Sequence, residues 1–483
     1  MKKKWQPVLI ACVLLATAAG AWWWQLAGDR LAVVMASLPA TPDLTAAPQE
    51  LRTRTVAAES RARSRATAAT GLAELGRLYH ANGFLAEAMQ CYAGLEQLAP
   101  AEPRWPHLHA SILAGYGETE PALKLWRRVV ELAPDYLPAR LRLGDGLLKT
   151  NHPDEAAATY AEVLKRNPAD SYALLGLARI DLEARRWDQA RERLEKVVAQ
   201  TNYELGYDLI VSLYERTGQP DRARAIRGSA KASGAYRDPP DPWLDELMDI
   251  CFDPYRLALT AGIAARFGQP AVAVRLLERA VGLAPDDVSC RFQLGGLAVA
   301  QRNFPVAREQ FERCTTLAPD FSDGWGQLSA LQLQMGESAA AARTLAAGLA
   351  RCPGSPGLHL MQARNQRDAG RIGEAIGEYQ ESIRLRPNEP EAYTELGNLY
   401  INLGRTPEGV EQMRRALEAD PGDPTALGVL TFYSISTGDE AEARRWFARL
   451  RLQPRVPPPQ TASLAEAYRQ AFGRPFVPDR PEN

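Results

Sequence analysis

Small residues, aromatic rings and prolines return along this chain at one spacing, 34 residues. Prolines stand at 100, 134 and 168, and again at 285, 319, 353, 387 and 421. If each unit closes two residues after its proline, the eighth position is small in Gly76, Ala110, Gly144, Ala178, Ala261, Gly295, Ala363 and Gly397. The twentieth is alanine at 88, 122, 156, 190, 273, 307, 341, 375 and 443. The twenty-fourth is often aromatic, as in Tyr92, Trp126, Tyr160, Phe311, Tyr379 and Phe447. The pattern predicts two antiparallel helices per unit. Small residues let the two helices approach closely, the ring fills the space beside them, and the proline ends the second helix. A period of this kind marks a stack in which each unit buries the open face of the next.

The units resemble the tetratricopeptide repeat (TPR). Leu75, Gly76, Tyr79, Gly83, Ala88, Tyr92 and Pro100 carry the resemblance in the first unit. Tyr393, Leu396, Gly397, Tyr400, Gly404, Ala416 and Pro421 carry it in the tenth, and Trp325 stands at the fourth position of its own unit. Eleven units fit between about 69 and 456, roughly four-fifths of the chain. The resemblance implies an all-α fold: a right-handed superhelical solenoid of helix–turn–helix units. It falls into two blocks, 69–233 with about five repeats and 254–456 with about six.

Between the blocks the period breaks at "RDPPDPWLDELMDICFDPYR", residues 237–256. Pro168 to Pro285 spans 117 residues, three repeats plus fifteen. Residues 234–253 therefore read as a joint inserted between repeats. Asp241-Pro242 supplies an N-cap and first helical residue, and Asp253-Pro254 repeats that signal. Trp243 and Leu247 are its candidate docking residues, capping the first block. Asp245 and Asp249, four apart, offer too few oxygens for a cation site by themselves. At the far end, residues 457–483 read as a capping helix with Leu464, Tyr468 and Phe472 on one face, followed by a tail.

The first thirty residues have a different character. From Trp5 to Gly28 there is no charged residue, about 36 Å as a helix, against a bilayer core of about 30 Å. Lys2, Lys3 and Lys4 precede the run; Trp5 on one side and Trp22, Trp23 and Trp24 on the other match interfacial aromatic belts. The expectation is a transmembrane signal-anchor over 5–28, residues 1–4 in the cytoplasm and the repeats on the external or periplasmic side. A cleaved signal peptide, with "AGA" at 19–21 as the processing site, competes with it. "LIAC" at 9–12 resembles a lipobox, but the apolar stretch before Cys12 is short. Residues 29–68, with "SLPATPDLTAAPQE", read as a tether. Its arginines, 52, 54, 61, 63 and 65, form a solvated helix or meet anionic headgroups.

Charge and chemistry narrow the function. Lys and Arg number 57 and Asp and Glu 58, which argues against nucleic acid as a partner. No C-x-x-C or H-E-x-x-H is present, His107 and His109 are spaced i, i+2, and no nucleophile stands in a catalytic motif. The reading is a non-enzymatic scaffold with no cofactor, no metal and no small-molecule substrate. Cys290 and Cys314 lie at adjacent ends of one unit's helices, where a disulfide is allowed. The resemblance implies peptide binding on the inner face, at positions 2, 5, 6, 9, 12 and 13 of each unit. Repeats six and seven offer Ala258, Gly262, Ala265, Phe292, Gly296 and Val299; repeats eight to ten offer Gln327, Gln334, Arg364, Arg367, Thr394, Asn398 and Asn402. The polar set is the candidate peptide groove, its arginines and amides suited to carboxylates and main chain. The carboxylate clamp known in some family members is not reproduced. The partners expected are proteins or peptides. The alternative is an accessory or assembly subunit for an exported enzyme or for envelope or cytochrome maturation.

Overall fold

The computed structural model describes residues 25, 27–201, 203–227, 239–453 and 458–477. The regular structure within them is helical. It divides into two compact units, Met1–Gln219 with Ala232–Pro285, and Pro220–Lys231 with Asp286–Asn483. The sixth repeat, expected to open the second block, therefore belongs to the first unit.

In the first unit, repeats one to four are the helix pairs Ala68–Ala81 and Leu85–Leu98, Arg104–Gly115 and Thr119–Leu132, Leu137–Lys149 and Pro153–Arg166, and Ser171–Glu183 and Trp187–Gln200. Glu204–Arg216 follows. A short helix, Pro242–Asp245, and a 3-10 turn, Glu246–Ile250, lead into repeat six, Pro254–Arg266 and Pro270–Leu283. The second unit holds repeats seven to eleven, from Val288–Ala300 and Phe304–Leu317 to Pro424–Thr437 and Glu440–Arg451. A final helix, Pro458–Phe472, packs on repeat eleven, with Tyr468 fully buried and its hydroxyl donating to Glu440 at 2.6 Å.

The packing follows the period. All nine alanines at the twentieth position are at most 1% exposed, and the six rings at the twenty-fourth are at most 3% exposed. Where the eighth position is glycine beneath a ring, in Gly76, Gly144 and Gly295, the ring lies directly against it. A Cβ on Gly144 would stand 2.6 Å from the Tyr160 ring, and one on Gly295 would stand 2.6 Å from the Phe311 ring. In repeat ten both positions are glycine, and a Cβ on Gly409 would lie 2.7 Å from the Gly397 carbonyl oxygen. Burying one such ring contributes about 2–3 kcal/mol, provided nothing keeps the helices apart.

Local signals set the helix ends. In all eight units with a periodic proline, the second helix stops two residues before it, from Leu98 before Pro100 to Ala419 before Pro421. The residue preceding a proline is disfavoured in the helical region. Asp170, Asp253, Asp287, Ser355 and Asp423 cap first helices by accepting from backbone N–H groups. The turn between paired helices needs one left-handed residue. It is glycine at 83, 117, 268, 336, 370, 404 and 438, but Asn151, Arg185 and Arg302 in repeats three, four and seven.

The expected tether is ordered for most of its length. Residues 27–37 are helical, with Val34 fully buried, and Gln49–Ala62 is a helix that buries Leu51, Thr55, Ala58 and Ala62 against repeat one. Those four residues recur at helical spacing, so the segment covers the open face of the first repeat, as a terminal cap must. Its arginines are used internally: Arg61 pairs with Glu74, and Arg52 donates to the Thr45 carbonyl at 3.0 Å.

Among the described residues no helix is long and apolar enough to cross a membrane. Residues 5–24, most of the expected anchor, lie outside the described residues. No disulfide joins Cys290 and Cys314; both are buried thiols, pushed up by burial to about 11.

Adjacent glycines in repeat seven give a paired test. A Cβ on Gly295 meets Phe311, whereas one on Gly296 meets nothing within 4 Å. Gly295→Val is expected to cost about 2 kcal/mol by overpacking. Gly296→Ala is expected to gain about 0.5–1 kcal/mol from helix propensity and a less flexible unfolded chain. Urea unfolding of the two variants checks both signs.

Candidate functional site

The joint is too rich in proline and acid to continue the repeat, and it does not cap the end of the first block. It runs instead along the first helices of repeats one to three. Asp241 makes no N-cap bond through its side chain. Its carboxylate is buried, 2% exposed, and accepts from His107 Nε2 at 2.7 Å, Tyr136 Oη at 2.6 Å and Arg142 Nε at 3.0 Å. Burial alone would raise this carboxyl. The hydrogen bond and charge of His107, with Arg142 and Tyr136, outweigh it and hold the group down at about 2. Burial and the facing carboxylate push the Tyr136 phenol up, so it stays a donor.

Trp243 lies flat on Tyr136, with ring centroids 3.6 Å apart at 11°, and meets His107 edge-on at 5.4 Å. The Arg104 guanidinium stands 5.7 Å from the Trp243 ring. Glu246 pairs with Arg104 at 3.0 Å and Arg77 at 3.5 Å. Leu247 is buried. Asn82 then holds main chain in both senses: its Nδ2 donates to the Ile250 carbonyl at 3.1 Å, and its Oδ1 accepts from the Phe252 N–H at 2.6 Å. Phe252 is buried between the guanidinium groups of Arg54 and Arg279, 5.7 and 5.1 Å from its centroid.

Arg77, Arg104, His107 and Arg142 stand at positions 9, 2, 5 and 6 of their units. These are the register positions assigned to the peptide groove. So the inner face of repeats one to three already holds an acidic segment of the same chain, wound as a short helix and a 3-10 turn.

In the second unit the candidate residues divide. Gln327, Gln334 and Asn402 are exposed and Asn398 is half-buried. Thr394 is buried, 7% exposed, and its hydroxyl donates to the Glu391 carbonyl, so it is not a groove residue. Arg364 and Arg367 are already paired. Arg364 Nε donates to both carboxylate oxygens of Glu395 at 3.0 Å and reaches Glu391 at 2.6 Å. Arg367 lies 3.6 Å from Glu395 and donates to the Tyr379 hydroxyl at 3.2 Å, which in turn donates to Glu395 at 3.0 Å. The two arginines therefore bolt repeat nine to repeat ten and are not open carboxylate receptors. Two exposed apolar residues join the groove register, Leu333 at position 12 of repeat eight and Phe432 at position 9 of repeat eleven, 46% and 59% exposed.

His109 pairs with Glu96 at 2.8 Å, apart from His107, and Asp249 pairs with Arg275 at 3.2 Å. Among the described residues no group of three or more His, Cys, Asp or Glu is placed to hold a metal ion. The joint's receptor leaves no local motif in the sequence, because His107 and Asp241 are 134 residues apart. One signal was present: the groove register applied to the first block picks out arginines, and the insertion is acidic.

The Asp241 node carries a pH prediction. Its carboxyl is depressed from 3.8 to about 2. The stabilisation is therefore complete above about pH 4 and lost as pH falls through about 2. At about 1.4 kcal/mol per decade it is worth roughly 2 kcal/mol. Asp241→Asn is expected to raise amide exchange across 241–252 at neutral pH, and the gap from the wild type should close by about pH 2. Hydrogen exchange against pH checks this.

Comparison with known proteins agrees with this architecture. Tetratricopeptide repeat models match residues 113–172, 147–204, 260–320, 292–356 and 360–424, together more than half of the chain. The human DnaJ homolog subfamily C member 3 is 22% identical over 248 residues, 51% of this chain and 42% of that protein. The Cellulose synthase operon protein C of Pseudomonas fluorescens (strain SBW25) is 26% identical over 327 residues, 66% of this chain and 22% of that protein. The chain thus spans less than half the length of these relatives. Among solved structures, yeast Tom70 is 14% identical with a TM-score of 0.40, covering 84% of this chain and 96% of its own. YrrB, a TPR protein with an unusual peptide-binding site, is 14% identical with a TM-score of 0.30, covering 38% and 96%. On the extent of the repeat matches, the chain belongs to the tetratricopeptide repeat family.

Proposed function

We propose that this protein is a non-enzymatic scaffold for protein–protein interaction, tethered to the cytoplasmic membrane by its N-terminal segment. It takes extended segments of partner proteins on the groove register of its second unit, outside the cytoplasm. One observation carries the reading. In the first unit the same register holds a short helical segment of the chain itself, through charge pairs, a ring slot and an asparagine on main chain. In the second unit Gln327, Gln334 and Asn402 lie exposed at that register, with Leu333 and Phe432 as apolar neighbours. Side-chain amides satisfy the donors and acceptors of an extended main chain, and exposed apolar residues take its alternate side chains. The uncharged run over 5–28, flanked by Lys2–Lys4 and the tryptophans, supports the tether and the orientation.

A second reading, an accessory or assembly subunit for an exported enzyme or for envelope or cytochrome maturation, draws on the 327-residue likeness to Cellulose synthase operon protein C. The two readings differ in the number of partners.

Crosslinking in native membranes tests both. Capture of several partners supports the scaffold, and one dominant enzyme supports the second reading. Gln334→Ala/Asn402→Ala/Phe432→Ala is expected to reduce capture at least tenfold with the fold intact; equal capture would sink the groove assignment. Arg364→Ala is expected to lower stability by about 1 kcal/mol, because Glu395 loses its bidentate partner at a half-exposed site, and to leave capture nearly unchanged.

Topology is read separately. Cys91, Cys251, Cys290 and Cys314 are buried, so native thiols report poorly. Gln334→Cys in a Cys352→Ser background should be labelled by an impermeant maleimide in intact cells. Labelling only after permeabilisation would place the repeats on the cytoplasmic side.

A further inference from the structure

The joint's first half is bound like a ligand. The repeats it lies on have a core of their own: Trp126, Leu143, Tyr160 and their neighbours pack together, and Trp243 only touches the edge of that cluster. Asp241–Glu246 adds a four-residue helix and the start of one 3-10 turn, with no place in the helix-pair stack. Its partners are groove-register side chains: Arg142 and His107 on Asp241, Arg77 and Arg104 on Glu246. Tyr136, His107 and Arg104 form the slot for Trp243. The charges are complementary at both anchoring acids, Arg142 and His107 at Asp241 and Arg77 and Arg104 at Glu246. The Glu246 end is the open one, its side chain 43% exposed and its arginines about 30% exposed. Beyond it, Leu247, Cys251 and Phe252 are buried and hold the second half in place.

We propose that the inner face of repeats one to three is a peptide receptor, that Asp241–Glu246 is its ligand in cis, and that a partner carrying an aspartate two residues before an aromatic ring, followed by a further acid, binds by displacing it. The aspartate enters the Arg142–His107–Tyr136 site, the ring stacks on Tyr136, and the later acid meets Arg77 and Arg104. A tethered ligand acts at millimolar effective concentration, so a free peptide competes poorly until the cis segment is weakened. This surface lies in the first unit and is independent of the second-unit groove.

The test uses the full chain and a fluorescent peptide of residues 239–247, PPDPWLDEL, read by anisotropy. The Trp243→Ala and Asp241→Asn chains are expected to bind it at least tenfold more tightly than the wild type does. Binding should weaken with added salt. A peptide with asparagine at the Asp241 position should lose binding to the same chains, as should Trp243→Ala combined with Arg142→Ala. Equal binding by wild type and both variants would overturn the proposal. So would loss of the helical signal in both variants, because the segment would then be a brace that the repeats need in order to fold.

Discussion

Two helices can lie against each other only as closely as the residues between them allow. In these repeats that distance is set by small residues at the eighth and twentieth positions and, in six of the repeats, by a ring laid over them. Tyr160 shows the constraint most plainly, wedged between Gly144 of its own repeat and Gly176 of the next. A methyl group at either glycine would collide with the ring, so the ring sets the packing within a repeat and also between repeats. Because the repeats share one length and this close approach, their first helices present positions 2, 5, 6 and 9 in register. The inner surface and all that binds there depend on that alignment.

The surface is used differently in the two units. In the first, Asp241 is taken wholly out of water, which is costly for a carboxylate without partners. Three donors from repeats two and three meet it, and the buried charge becomes a marker of register. A slip of the segment by one residue would leave the carboxylate unpaired and take Trp243 off Tyr136. In the second unit the acid comes from the neighbouring repeat. Glu395 is held by Arg364, Arg367 and Tyr379, so charge there joins repeat to repeat. What faces solvent is amide and apolar, a surface suited to main chain and less to a terminal carboxylate.

The N-terminal region follows the same logic of covered faces. A stack of helix pairs exposes an apolar face at each free end. Gln49–Ala62 covers one at repeat one, and Pro458–Phe472 covers another at repeat eleven. The proline-rich composition of residues 38–48 pointed to open chain, yet the segment before it buries Val34 and the helix after it buries Leu51 and Ala58. Composition averages over a segment, whereas packing answers to the few residues at helical spacing.

The repeat, its length, the helix pairs, the ends set by prolines and capping residues, and the place where the pattern breaks are all written along the chain. Each of these rests on residues within about forty positions of one another, so a period along the chain is enough to read them. What the break does and which arginines are open depend on contacts between distant or neighbouring repeats. The Asp241 node joins residues 99 to 134 positions apart, and Arg364 meets Glu395 from the next repeat. Whether a charged side chain faces a partner or solvent depends on what the stack brings opposite it. That pairing is settled by the rise and rotation of successive repeats, which the period along the chain does not by itself reveal.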